Sequence, residues 1–141
     1  MLETRVRTSR LGNESGFALV ELAVVIVIVG VLAAIAVPLY LDHQAKAHDA
    51  AAQQDLQVMA QSLRGALEDE PDLPTITWSG NSYLIDGDHA GSLSPGVVFG
   101  GLSGASMHDW CIDVTHPHGD VAASPGFRYS AQDGLEPGTC P

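Results

Sequence analysis

The sequence predicts an α+β fold, with one long N-terminal α-helix packed on a small antiparallel β-sheet. Three observations carry this expectation. Leu22 to Leu39 form a run of 18 residues without a charge. Apolar residues at helical spacing then continue to Leu67. After Pro74 the texture changes to short β-prone runs broken by glycine, proline and asparagine.

The first element is of membrane length. With Tyr40 and Leu41 the apolar run reaches about 20 residues, or roughly 30 Å as a helix, enough to cross a hydrocarbon core. Arg5, Arg7 and Arg10 all precede it, while only Lys46, Arg64 and Arg128 follow. By the positive-inside rule the N-terminal end stays in the cytoplasm and the acidic remainder lies outside.

One residue in this segment is out of keeping. Glu21 opens the apolar run, where a carboxylate costs free energy. A secretory signal peptide, cut after Ala34-Ile35-Ala36 or Ala45-Lys46-Ala47, would have a shorter apolar region and no acid at its start. A plain signal anchor leaves Glu21 equally unexplained.

Gly16-Phe17 followed by Ala18-Leu19-Val20-Glu21-Leu22, then a long apolar helix with Gly30, Pro38 and Tyr40, resembles the N-terminus of type IV pilins and pseudopilins. The resemblance covers residues 10 to 65. It implies a pilin-like fold and cleavage by a prepilin peptidase between Gly16 and Phe17, followed by N-methylation of Phe17. Ala18 departs from the threonine common in the family and leaves the cleavage site intact. The implied organisation is a leader peptide at 1–16, a transmembrane and assembly half of the helix at 17–41, an amphipathic half at 42–70, and a β-sheet region at 71–141.

Cleavage would also explain the acid. It frees a cationic amine on Phe17, four residues from Glu21 and hence on the same helix face. Near a helix N-terminus a carboxylate is further favoured by the helix dipole. The resemblance implies that in a filament Glu21 meets the Phe17 amine of a neighbouring subunit and sets axial register.

The helix is expected to continue past the membrane. Leu56, Met59, Leu63, Ala66 and Leu67 recur at helical spacing, with Ala45 and Ala52 extending the stripe. Asp42, Asp49, Asp55, Gln54 and Gln61 take the other faces, and Pro71 ends the element. Gly30 and Pro38 weaken it, proline by removing a backbone hydrogen bond and glycine by its lower helix propensity. The resemblance implies that this segment can unwind as subunits pack. Glu68-Asp69-Glu70 reads as a solvated cluster.

Five short strands are expected beyond Pro74. Thr75 to Trp78 and Ser82 to Ile85 flank Gly80-Asn81 as a hairpin; Val97 to Phe99, Trp110 to Val114 and Phe127 to Ser130 follow. Segments 87–96 and 100–107 read as surface loops. Trp78, Tyr83, Trp110 and Tyr129 alternate within strands and are expected to fill the core.

The globular part amounts to about 70 residues, a size at which domains often need a covalent staple. Cys111 and Cys140 are the only cysteines, and an even count outside the cytoplasm favours a disulfide between them. The bridge would tie a C-terminal loop, 131–141, onto the sheet, as in the cysteine-bounded loop of many pilins.

Composition narrows the function. The chain carries 17 Asp+Glu against 6 Lys+Arg, a net charge of −11. Starting at Phe17 it would keep 3 basic and 15 acidic residues, or −12. Such a surface disfavours DNA, whose binding needs cations to displace phosphate counterions. His108, Asp109, His116, His118 and Asp120 have no recognised zinc spacing. His116 and His118 flank Pro117 in a turn and need not converge. Asp86, Asp88, Asp120 and Asp133 do not form a calcium-loop pattern. Ser103, in GGLSGA, is one residue short of a nucleophile elbow. No metal, cofactor or enzymatic activity is therefore expected.

The resemblance implies a filament subunit, inserted in the bacterial inner membrane and then polymerised as a homo-oligomer on the cell surface, with an assembly platform and ATPase as partners. The alternative is a pseudopilin of a type II secretion or competence system. An adhesive-tip or DNA-uptake module and a membrane-anchored enzyme are the other classes.

Overall fold

The computed structural model describes residues 14–69 and 72–141. The chain divides at Tyr40/Leu41 into two units. Helix α1, Glu14–Asp69, runs through both Gly30 and Pro38. It is the one helix among the described residues that is long and apolar enough to cross a membrane. From Leu19 to Leu41 its large apolar side chains are all exposed. Pro71, the expected stop, and Glu70 lie outside the described residues.

In the second unit the helical stripe becomes core. Ala52, Leu56, Met59, Ala60, Leu63 and Leu67 are buried, and Ala66 packs against them at the margin. Their spacing places them on one side of α1, and each large side chain contributes about 1.5–3 kcal/mol by leaving water. Ala45, placed in the stripe from spacing alone, is only half-buried.

Two antiparallel sheets accompany the helix. The first has strands β1 (Ile76–Ser79), β2 (Ser82–Ile85) and β3 (Asp88–Ser92) in sequential order. The second has β4 (Val98–Ser106), β5 (Asp109–Thr115), β6 (Phe127–Ser130) and β7 (Gly134–Pro137), also in sequential order. Strand β5 is the best buried, with Trp110, Ile112 and Val114 all inside. Tyr83 and Ile85 of β2, Phe99 of β4 and Phe127 of β6 complete the core with Leu93, Val97 and Ala122.

Several expectations need correction. The sheet is two sheets, and the segments read as loops at 87–96 and 100–107 are largely strands β3 and β4. Strand β3, DHAGS, has no apolar alternation because it is an edge strand with little burial; backbone pairing with β2 holds it there. In β4 the glycines coincide with two register shifts against β5, between Phe99 and Gly101 and between Gly104 and Ser106. The tail at 131–141 contains β7, paired with β6 from Phe127↔Pro137 to Ser130↔Gly134.

Trp78 does not fill the core: it is 57% exposed, on an edge strand, and lies edge-to-face with Phe99, ring centroids 5.5 Å apart. Tyr83 and Trp110 are buried as expected, and Tyr129 is half-buried, stacked on Trp110.

Candidate functional site

Two regions concentrate the residues singled out from sequence. The first is the start of α1. Gly16 and Phe17 lie within the helix, but their side chains, like the whole of residues 1–13, fall outside the described set. Glu21 is exposed, with Val20 and Leu22 as exposed neighbours. Four residues separate it from Phe17, about one turn, so the backbone nitrogen of Phe17 and the Glu21 carboxylate belong to the same end of the same helix. Glu21 is the eighth residue of α1, beyond the first turn where an anion meets the helix dipole; a chain starting at Phe17 would bring it close to that end. Chemically, this is a carboxylate set in a row of exposed apolar side chains.

The second region is the disulfide. Cys111 and Cys140 are bonded, with Cα atoms 5.7 Å apart and a sequence separation of 29. Cys111 lies in the interior of the second sheet, opposite Ser103 on β4 and Ser130 on β6. Beside the bridge, Arg128 donates to Glu136 at 2.7 Å across β6 and β7. The Glu136 hydrogen bond is the main cause that holds the Arg128 guanidinium above its usual range. The tail is thus fixed by a ladder, an ion pair and a covalent bond.

The candidate metal-ligating histidines and acids scatter, except at one place. Asp86 Oδ1 accepts the Thr75 N–H at 2.7 Å, and Ser130 Oγ accepts the Asp133 N–H at 2.9 Å. His116 and His118, which their spacing does not require to converge, lie with ring centroids 6.0 Å apart. What joins them is His48 of α1, which stacks on His116 with centroids 4.2 Å apart. His116 is buried: its Nδ1 accepts the His118 N–H at 3.1 Å, so its Nε2–H donates to the Pro95 carbonyl at 3.2 Å. Both ring nitrogens are therefore committed to backbone. Among the described residues no group of three or more His, Cys, Asp or Glu is arranged to hold a metal. Ser103 sits in mid-strand, paired with Cys111.

Sequence reasoning missed two anchoring carboxylates. Asp49 is not on a solvent face of α1; it is 9% exposed and accepts the N–H groups of Val121 and Ala122 at 3.1 and 2.8 Å. Asp55 takes the N–H and hydroxyl of Ser94. Each ties a connecting segment of the sheets to the helix. A polar position flanked by Ala50 to Ala52, on the edge of the apolar stripe, was the available signal for Asp49.

Asp42, by contrast, stays exposed and pairs with Lys46 at 2.7 Å. The Lys46 hydrogen bond, and then its charge, lower the carboxyl below its ordinary range. Such exposed pairs contribute little to stability.

Comparison with known proteins converges on the first region. Residues 11–37 match the family model described as the prokaryotic N-terminal methylation motif. The chain is similar to "Fimbrial protein EcpB" of Eikenella corrodens, 65% identical over 35 residues, which is 25% of this chain and 22% of that protein. It is also similar to "Type IV major fimbrial protein FimA" of Dichelobacter nodosus, 29% identical over 96 residues, 67% of this chain and 61% of that protein. The matched segments span less than two thirds of either relative's own length.

Proposed function

We propose that the chain, whose residues 11–37 match the N-terminal methylation motif and which is similar to two fimbrial proteins, is a type IV pilin: a non-catalytic structural subunit of a type IV pilus-like filament. In this reading a prepilin peptidase cuts after Gly16 and Phe17 becomes the N-methylated first residue. The product rests in the bacterial inner membrane, N-terminus inward, until a platform and ATPase system moves it into the filament. There the apolar face of Phe17 to Tyr40 exchanges lipid for neighbouring helices, and Glu21 neutralises the Phe17 amine of an adjoining copy.

The observation that carries the proposal is the match over residues 11–37, which includes Gly16, Phe17 and Glu21, combined with an unbroken row of exposed apolar side chains on the same helix. A soluble monomer would not leave such a surface uncovered. Similarity to a protein named as a major fimbrial subunit favours the principal component of a filament over a pseudopilus component.

Mass analysis of the mature N-terminus tests the reading. A product beginning at N-methylated Phe17 is expected. A product beginning after Ala36 or Ala47 would sink it.

A further inference from the structure

Three basic side chains lie in the described residues, and two are spoken for: Lys46 pairs with Asp42 and Arg128 with Glu136. The third, Arg64, meets no carboxylate among them. Its guanidinium carbon lies 5.2 Å from the Tyr129 ring centroid and 5.8 Å from that of Trp110. Those two rings are themselves stacked, with an interplanar angle of 9°. The guanidinium thus rests against the aromatic pair and meets no anion among the described residues. Arg64 lines a cleft of about 470 Å³ together with Leu67, Glu68, Met107, His108 and Gln132, among others.

A second cleft, of about 400 Å³, lies along the same stretch of α1 and is richer in acids. Asp69, Asp86 and Asp88 line it with Ser62, Ala66 and His89, among others, whereas Glu68 is the one acid in the Arg64 cleft. Asp69 and Asp88 are exposed and pair with no cation among the described residues. At about 100° per residue, Arg64, Leu67 and Glu68 project roughly 180° around the helix axis from Ser62, Ala66 and Asp69. The core-facing residues Met59 and Leu63 lie between the two groups. The two clefts thus flank α1 on opposite sides at one level along its axis.

We propose that the Arg64 cleft of one copy receives the Asp69/Asp88 cleft of the next, forming a lateral contact between globular units. Charge complementarity selects this occupant: in a chain of net charge −11, copies repel one another unless a free cation meets a free acid. The occupied surfaces differ, so the contact is heterologous, and a heterologous contact that does not close generates an open helical assembly. This rests on the filament reading and supplies a contact that the N-terminal helix does not. Preorganisation of Arg64 on Trp110 and Tyr129 lowers the side-chain entropy lost when the acid arrives.

The test uses cells producing the full chain, with filaments sheared from the surface and the membrane pool of unassembled subunit measured in parallel. Arg64→Glu and Asp88→Arg are each expected to lower sheared yield about tenfold or more at unchanged pool size. The double charge swap should restore most of it. Separately, Gln132→Cys with His89→Cys, which line the two clefts and leave the charged groups in place, should cross-link on oxidation into a ladder of dimers, trimers and higher species. Normal filaments from both reversals, or a double-cysteine variant giving no ladder, would overturn the contact while leaving the filament reading intact. Should wild-type chain itself form no filaments, it is the filament reading that fails. The cross-link does not require Arg64→Glu to fold, so misfolding of that variant leaves the outcome decidable.

Discussion

The carboxylate of Asp49, on the helix, accepts the backbone N–H of Ala122, 73 residues further along the chain, at 2.8 Å. The same carboxylate takes the Val121 N–H at 3.1 Å. Replacing Asp49 by Ala leaves two amides of a partly buried turn without an acceptor, at a cost of about 2–3 kcal/mol. Detergent-solubilised full chain, unfolded in denaturant and followed by fluorescence of the buried Trp110, would show this as a lower midpoint. Asp49→Asn keeps one acceptor oxygen and should recover part of the loss. An unchanged midpoint for Asp49→Ala would show the anchor to be dispensable.

Asp113 behaves in the opposite sense. Burial on β5 pushes its carboxyl above the ordinary value near 4. A carboxyl raised in the folded state favours folding while protonated, and that contribution is lost as pH rises through the raised value. At pH 7 the ionised group is therefore a burden. Asp113→Asn should raise the thermal midpoint at pH 7, with the gain shrinking toward pH ~3 where wild type is protonated too. Equal shifts at both pH values would point to a packing effect instead.

Removal of the disulfide has a predictable size. A loop of about 30 residues closed by a cross-link is worth roughly 3.6 kcal/mol in the chain-entropy model. Cys140→Ser, whose site is only half-buried, should lower unfolding stability by about that amount, and reductant should do the same to wild type. If reduced wild type unfolds at the same denaturant concentration as oxidised, the bridge is not what stabilises this sheet.

For Glu21, the expected separation is between insertion and assembly. Glu21→Val makes the segment more apolar, so membrane insertion should be undiminished while surface filaments fall sharply. Quantifying both pools distinguishes them. Normal filament levels would refute a role for this carboxylate in register.

The readable parts of the fold were those where side chains carry the information. The stripe from Ala52 to Leu67, the hairpin across Gly80-Asn81 and the cysteine pair all announce themselves through period, turn chemistry or residue type. Gly80 has φ 64° and Asn81 has no positive φ, as suits a two-residue turn with glycine first. A second hairpin carries an equally plain signal, which the loop expectation for 87–96 does not use: Asp86 and Gly87, at φ 52° and 92°, are an Asp-Gly turn joining β2 to β3.

Other features had no local signature. Strands β3 and β4 exist because neighbours offer backbone partners, which composition does not display. Asp49 and His48 owe their roles to groups more than 60 residues away, His116 and Val121 among them. Trp78 looked like core because a large aromatic usually is; its place on an edge strand leaves it outside.

The bridge from Cys111 to Cys140 also decides how tension crosses this molecule. Tension entering beyond Cys140 and leaving through the helix has two routes, the backbone through β6 and β7 or the single covalent step into β5. The covalent step is far shorter and does not yield at forces that strip hydrogen bonds. The chain between the cysteines is therefore slack, and the ladders of β6 and β7 are shielded from stretching. The load enters at Cys111 and runs back toward the helix through Trp110, which is buried. The segment under strain is the one that precedes the bridge, and the segment the bridge encloses, Ile112 and Val114 included, is spared.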